Sequence, residues 1–250
     1  MRITSSCGQD LAVRIKGRKR AALLCVAAGL AFWPGATMFA QTIQPVISEY
    51  TVKADGRFDL TNDTLTPVAV VLEPKSFSIG LDGKGTFRPL DPSIHVELST
   101  MSVRLEPHQT YYVFYKAHAN TLPAWFTVYA VFSPIQKGDG VKVRIMLPHT
   151  VYLYQKKTIA KEAIDVQNVA YLTGRDTIVC DLDNLSPSLV RVQEVSVAGG
   201  KAPVLANGFP LLPHSPRHLE IPWKQASPPS YVVLHFPHFD VKEPVSVKDQ

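Results

Sequence analysis

Residues 141–154 read VKVRIMLPHTVYLY, a run rich in aliphatic and aromatic side chains. Between Val143 and Leu147 every second residue is aliphatic, which predicts a β-strand because successive side chains of a strand point to opposite faces. Val143, Ile145 and Leu147 would share one face, with Lys142, Arg144 and Met146 between them. The last four residues, Val151 to Tyr154, continue the run without a turn residue.

Shorter runs of the same type precede this strand and are separated by turn residues such as Asn62-Asp63, Asp82-Gly83 and Glu106-Pro107. The predicted strands are 58–61, 68–73, 95–98, 102–105, 111–116 and 125–133. With 141–154 they make about seven short strands, the pattern of an immunoglobulin-like β-sandwich.

A second set of strand-like runs follows the polar stretch 155–162, whose lysines and glutamate suit an exposed linker. These runs are 177–182, 190–197, 204–205, 217–221, 231–236 and 243–247. We therefore predict an all-β chain with two tandem immunoglobulin-like β-sandwich domains, 41–157 and 158–250, after a cleaved signal peptide.

The predicted signal peptide covers residues 1–40. Five basic residues between Arg14 and Arg20 precede an apolar run of 13 residues, 21–33, which is followed by the small residues Ala36 and Ala40. The run is shorter than the ~20 residues that span a bilayer, so a retained membrane anchor is the less favoured alternative. Lipidation at Cys25 is disfavoured because the preceding Leu24 is bulky.

Removal of residues 1–40 changes the charge and the thiol content of the chain. That segment holds six of the 26 basic and one of the 21 acidic residues, which leaves 20 of each. The remaining chain has no net basic charge to favour nucleic acid. It keeps one cysteine, Cys180, and therefore has no internal disulfide; a lone thiol in a strand pattern is typical of a buried small hydrophobe.

Several segments resemble the periplasmic pilus-assembly (fimbrial) chaperones, the PapD-like family. The similar segments are Phe58-Asp59-Leu60-Thr61-Asn62-Asp63, Pro67-Val68-Ala69-Val70, Ser99-Thr100 with Val103, Leu105 and Pro107, Val143-Arg144-Ile145-Met146-Leu147-Pro148, Asp183-Asn184-Leu185-Ser186-Pro187 and Leu212-Pro213-His214-Ser215. The resemblance covers nearly the whole chain after residue 40. It implies two sandwiches and donation of the 143–148 strand to a client protein.

The resemblance implies that Val143, Ile145 and Leu147 would enter a groove in the client. An ordinary sandwich strand with the same alternation would instead point these residues into its own core. Family members also hold the client's terminal carboxylate with an Arg and a Lys. The matching Arg should fall near Val46 to Glu49, but residues 41–52 contain neither Arg nor Lys, and the Lys position falls at Tyr152. We therefore place Tyr152 with the partner-binding residues of a divergent member.

Motifs for catalysis or metal binding are weak. His235 and His238 form a close pair without a thiol or carboxylate at a ligand spacing, and Asp181 and Asp183 suit a solvated strand face. We predict no enzyme activity, no catalytic residue, no metal site and no cofactor. The predicted function is a periplasmic chaperone-like protein that binds a pilus or surface subunit, with an outer-membrane usher as a further partner class. The alternative is a structural or interaction module of the cell envelope.

Overall fold

The structure is a computed structural model that describes residues 40–135 and 143–249. The predicted signal peptide, with Cys7 and Cys25, and Lys142 of the donor-strand pattern lie outside the described residues. In chain order the strands are β1 Gln41–Gln44, β2 Ile47–Thr51, β3 Lys53–Asn62, β4 Val68–Ile79, β5 Gly85–Pro89, β6 Ile94–Leu98, β7 Ser102–Leu105, β8 Gln109–Ala119, β9 Ala124–Pro134, β10 Ile145–Tyr154, β11 Ile164–Leu172, β12 Thr177–Asn184, β13 Val190–Ala198, β14 Val204–Leu211, β15 Arg217–Pro222, β16 Tyr231–His235, β17 Asp240–Pro244 and β18 Ser246–Lys248. Two short 3-10 helices, Lys161–Ala163 and Thr173–Arg175, flank β11.

The first sandwich is built from β1 to β10. One sheet has the order β1-β3-β8-β6, and the other has the order β2-β10-β9-β4-β5 with β7 added against β4. Alternate residues of the long strands face inward, as in Val68, Val70 and Leu72 of β4, and they meet the inward rows of β8 and β9 in one buried core. Sheets with one apolar face pack in this way because that face is removed from water.

The beginning of the described chain changes sheets. β1 pairs antiparallel with β3, and after Pro45 the chain continues as β2, which pairs parallel with β10 in the opposite sheet. Ile43 and Tyr50, on either side of this crossing, both contact the first core. The crossing therefore ties the two sheets together at one edge of the sandwich.

The second sandwich contains β11 to β18. Its sheets have the orders β15-β12-β11-β18 and β14-β13-β16-β17. Trp223, Ile178 and Val192 are among the fully buried residues of its core, which also contains the thiol of Cys180. Burial raises the pKa of this thiol to about 12, so Cys180 is a protonated core residue at neutral pH.

Each sandwich contains a buried asparagine at the end of a strand. Asn62 Nδ2 donates to carbonyls of Thr66, Leu105 and Glu106, while Asn184 Nδ2 donates to those of Ser188 and Leu211. Each Oδ1 accepts from the backbone N–H and hydroxyl two residues later. The predicted turn at Asn62 and the turn after Asn184 thus have matching hydrogen-bond networks in the two sandwiches.

The two sandwiches contact each other through a small apolar cluster and several hydrogen bonds. Phe77 and Tyr152 from the first pack with Leu189 and Leu212 from the second. Gln155 forms two hydrogen bonds with the backbone of Leu189, one as donor and one as acceptor. These contacts cover the outward face of β10 at its C-terminal end.

The prediction of an all-β chain with two sandwiches is confirmed. The strand pattern did not predict β1, β2, β5 or β11. The last strand of the first sandwich ends at Tyr154 and the first strand of the second begins at Ile164. The exact boundary between residues 157 and 158 stays a prediction.

Candidate functional site

The strand predicted to carry the function, β10, has two different halves. Its inner edge pairs with β9 from Ile145 to Leu153, but its outer edge pairs with β2 only from Thr150 to Tyr154. Among the described residues, no strand covers the outer edge from Ile145 to His149. An open edge of this type presents unpaired backbone groups and is a template for pairing with another chain.

Exposure of the alternating residues decreases along β10. Val143, just before the strand, is 61% exposed and Ile145 is 37% exposed, while Leu147 is partly buried against the first core. His149 and Val151 continue the same inward row and are fully buried. The open half of the strand thus carries accessible aliphatic side chains, and the paired half completes the sandwich.

His149 marks the change between the two halves. Its Nδ1–H donates to the carbonyl of Pro45 at 2.6 Å, and its ring stacks on Phe58 at 4.6 Å. The other ring nitrogen, Nε2, is buried without a hydrogen-bond partner. Burial lowers the pKa of His149, because a charged imidazolium would lose its hydration in the core. The residue holds the crossing from β1 to β2 against β10.

Tyr152 lies on the outward face of the paired half and is only 4% exposed. Its ring contacts Phe77 edge to face and belongs to the cluster between the two sandwiches. Burial raises the pKa of its hydroxyl to about 12. In this arrangement little of Tyr152 is available to a partner, and its partner-binding role stays a prediction.

The two positions implied for the carboxylate anchor do meet in the structure, but with different residues. Glu49 of β2 is the register partner of Tyr152. Its carboxylate accepts a hydrogen bond from the Tyr154 hydroxyl at 3.2 Å and forms a 3.0 Å ion pair with Arg191 of β13, whose geometry is not that of a linear hydrogen bond. Burial and the nearby Glu49 carboxylate raise the pKa of Tyr154.

A cleft of about 320 Å³ opens beside this ion pair, between the two sandwiches. Its walls include Lys156, Lys157, Ile159, His238 and Phe239 in addition to Glu49 and Arg191. Arg191 was missed by the sequence analysis because it lies in the other sandwich, more than 140 positions from Glu49 in the chain. No local spacing indicates such a pair.

Of the histidine and aspartate candidates, His238 lines this cleft, while His235 and Asp181 form contacts within the second sandwich. His235 contacts Ser196 Oγ at 2.9 Å and Asp240 at 3.0 Å, an order of contacts similar to a catalytic triad. Ser196 is in the middle of β13, which is paired on both sides. Its neighbouring N–H groups are used in the ladders and offer no oxyanion site.

Asp181 accepts hydrogen bonds from Asn168 and His218, and the bond from His218 is the main cause of its lowered pKa. In the described part of the chain, no three His, Cys, Asp or Glu residues are grouped to hold a metal ion. No helix among the described residues is long and apolar enough to cross a membrane.

Comparison with solved structures finds the same architecture. A chain of the complex of the Salmonella enterica SafA pilin with the SafB chaperone aligns with a TM-score of 0.53 and 11% identity, over 84% of this chain and 98% of that chain. The E. coli chaperone DraB aligns with a TM-score of 0.50 and 11% identity, over 82% of this chain and 98% of its own. The chain has the fold of fimbrial chaperones.

This similarity confirms the resemblance at the level of the fold. No protein-family model matches the sequence, and no curated protein matches it. At about 11% identity the alignment carries the arrangement of strands and not the role of any side chain. The function of the site therefore has to be inferred from the geometry of this chain.

Proposed function

We propose that this protein is a periplasmic chaperone-like protein that binds a β-rich client through the open edge of β10. The observation that carries the proposal is the open edge from Ile145 to His149, with Val143 and Ile145 exposed beside it. The client would add a strand to this edge, and its core would receive the two exposed side chains. Backbone pairing would provide affinity and the alternate side chains specificity.

Two further facts support this function over a purely structural module. A structural module would bury these side chains in its own sheet, whereas the first two of the three predicted donor residues are accessible. The fold is that of chaperones, and one of the similar structures contains a pilin. A pilus or surface subunit is therefore the client class we propose, and an usher as additional partner stays a prediction.

The test is affinity purification of the tagged protein from the periplasm of its own cells. We compare wild type with Ile145→Asp and with Leu205→Asp, a matched change at an exposed leucine of β14 in the second sandwich. A charge at position 145 would have to be desolvated in the client's core, so the client should be lost from Ile145→Asp and retained by Leu205→Asp. Thermal unfolding of each variant shows whether the fold is kept.

If folded Ile145→Asp captures the same β-rich proteins as wild type, strand donation is not the function. The alternative of a structural or interaction module of the envelope would then be preferred. Equal loss from both variants would also count against the open edge, because the effect would not depend on position.

A further inference from the structure

The backbone of β10 shows which groups face the open edge. Thr150 N–H donates to the Val46 carbonyl at 2.7 Å, and the Tyr154 carbonyl accepts from Val52 N–H at 2.9 Å. Both hydrogen bonds lie on the β2 side, so the even-numbered residues of β10 direct their backbone N–H and carbonyl groups toward the outer edge of the strand. The register with β9 is continuous from Ile145 to Leu153. Because backbone groups of alternate strand residues point to the same edge, Met146 and Pro148 also face outward.

Pro148 interrupts the outward row of donors. It has no N–H, so within the open half of β10 the outward groups are the N–H and carbonyl of Met146 and the carbonyl of Pro148. A proline is tolerated at this point because the missing N–H falls on an edge that no strand of the described chain covers. The ladder available to a client is thus separated from the ladder occupied by β2.

Val46, just before β2, and Ile47, the first residue of β2, close the end of the open edge. Val46 is bonded to Thr150, the first residue of β10 beyond the open half, and Ile47 is the register partner of Thr150. Both side chains are exposed and aliphatic. Two residues further along β2, on the same face as Ile47, stands the carboxylate of Glu49, which already pairs with Arg191.

We propose that Pro148 and the start of β2 form a register stop for the client strand. This proposal rests on the proposed function and specifies the client segment: an extended segment whose C-terminal end is uncharged and apolar. The segment pairs with Met146 N–H and the carbonyls of Met146 and Pro148, and its end contacts Val46 and Ile47. The register of the client strand is set by the β10 edge that β2 occupies and by the missing N–H of Pro148. A terminal carboxylate adds no affinity, because the Glu49 carboxylate repels it and Arg191 is already paired with Glu49.

The test uses two synthetic nonapeptides of alternating serine and valine, acetylated at the N-terminus and ending either in an amide or in a free carboxylate. Titration with the purified protein should give the two peptides dissociation constants within about twofold. Amide hydrogen exchange followed by NMR should show new protection at Met146 in the bound state. Protection at Thr150 should stay unchanged, because its N–H is already bonded to Val46.

Two variants probe the stop itself. Pro148→Ala restores an outward N–H, so this new amide should become protected and binding should tighten about two- to tenfold, the effect of one added hydrogen bond. Val46→Asp should weaken both peptides by tenfold or more, whereas Leu205→Asp should change neither. Thermal unfolding of each variant establishes that the fold is retained.

The outcomes separate the register stop from the proposed function. A carboxylate peptide that binds at least tenfold more tightly than the amide, or loss of Thr150 protection through displacement of β2, overturns the stop while strand pairing stands. If neither peptide binds, or if Ile145→Asp binds both as well as wild type, strand donation fails as well.

Discussion

Replacement of Asn184 by alanine should remove the hydrogen bonds that close a buried turn of the second sandwich. The side chain is fully buried, donates to Ser188 O at 2.7 Å and Leu211 O at 3.1 Å, and accepts from the Ser186 N–H at 3.1 Å and hydroxyl at 2.7 Å. Each such bond contributes about 0.5–1.5 kcal/mol net. The four bonds together give a range of about 2–6 kcal/mol. Because some of the freed groups lie near the surface and would be hydrated, we expect a loss in the lower half of this range, about 3 kcal/mol.

Urea unfolding followed by far-UV circular dichroism measures this loss as a change in midpoint at an unchanged slope. The matched control is Asn207→Ala, an exposed asparagine of β14, which should change the free energy of unfolding by less than about 0.5 kcal/mol. A loss below 1 kcal/mol for Asn184→Ala would refute the reasoning, since it would mean that the turn keeps its shape without the side chain.

Two other predictions concern titration and charge. The pKa of His149 is lowered in the folded chain, whereas in the unfolded chain it has an ordinary value near 6.5. Between these two pKa values the unfolded chain binds a proton that the folded chain does not. The stability contributed by neutral His149 is therefore complete above about pH 6.5 and decreases below it, by up to ~1.4 kcal/mol per pH unit, until the folded pKa is reached. Urea unfolding at pH 7.0 and 5.5 should show a smaller decrease for His149→Leu than for wild type, and equal decreases would contradict this origin; His118→Leu, at an exposed strand position, is the control. For the Glu49–Arg191 ion pair, a double-mutant cycle with Glu49→Gln and Arg191→Gln should give a coupling of about 0.5–1 kcal/mol that shrinks in 1 M salt. A coupling that does not respond to salt would indicate packing and not charge.

Much of the fold followed from alternation along single strands. β4, β8, β9 and β10 have long inward rows of apolar residues, so period two identified them without knowledge of their neighbours. β11 was not predicted from the sequence because its ladder with β12 shifts register between Gln167 and Ala170, where Asn168 has a positive φ of 53°. β5 was not predicted for a different reason. All of its residues are exposed, so its sequence lacks the alternating buried apolar residues that indicate a strand.

The candidate site could be predicted only in its local part. The spacing predicted that Val143 and Ile145 share one face of a strand, the resemblance implied their partner-binding role, and both side chains are accessible. The open edge itself depends on where β2 stops along β10, which is a pairing between residues about 100 positions apart. The Glu49–Arg191 pair likewise joins two sandwiches. Such non-local contacts are set by the whole fold, and no short segment of sequence contains them.

Under the proposed function, β10 has to satisfy two requirements that conflict within one strand. In its second half it buries Val151 and Leu153 and is held on both edges, by β9 and β2. As a binding strand it must keep one edge free, although an uncovered edge with aliphatic side chains favours self-association. The chain separates the two requirements by position. β2 holds the edge from Thr150 onward, and Pro148 removes a donor from the remainder, so that the open half offers few backbone groups to an unselected partner. Under the proposed function, a client would therefore have to supply apolar side chains complementary to Val143 and Ile145, because backbone pairing alone is incomplete.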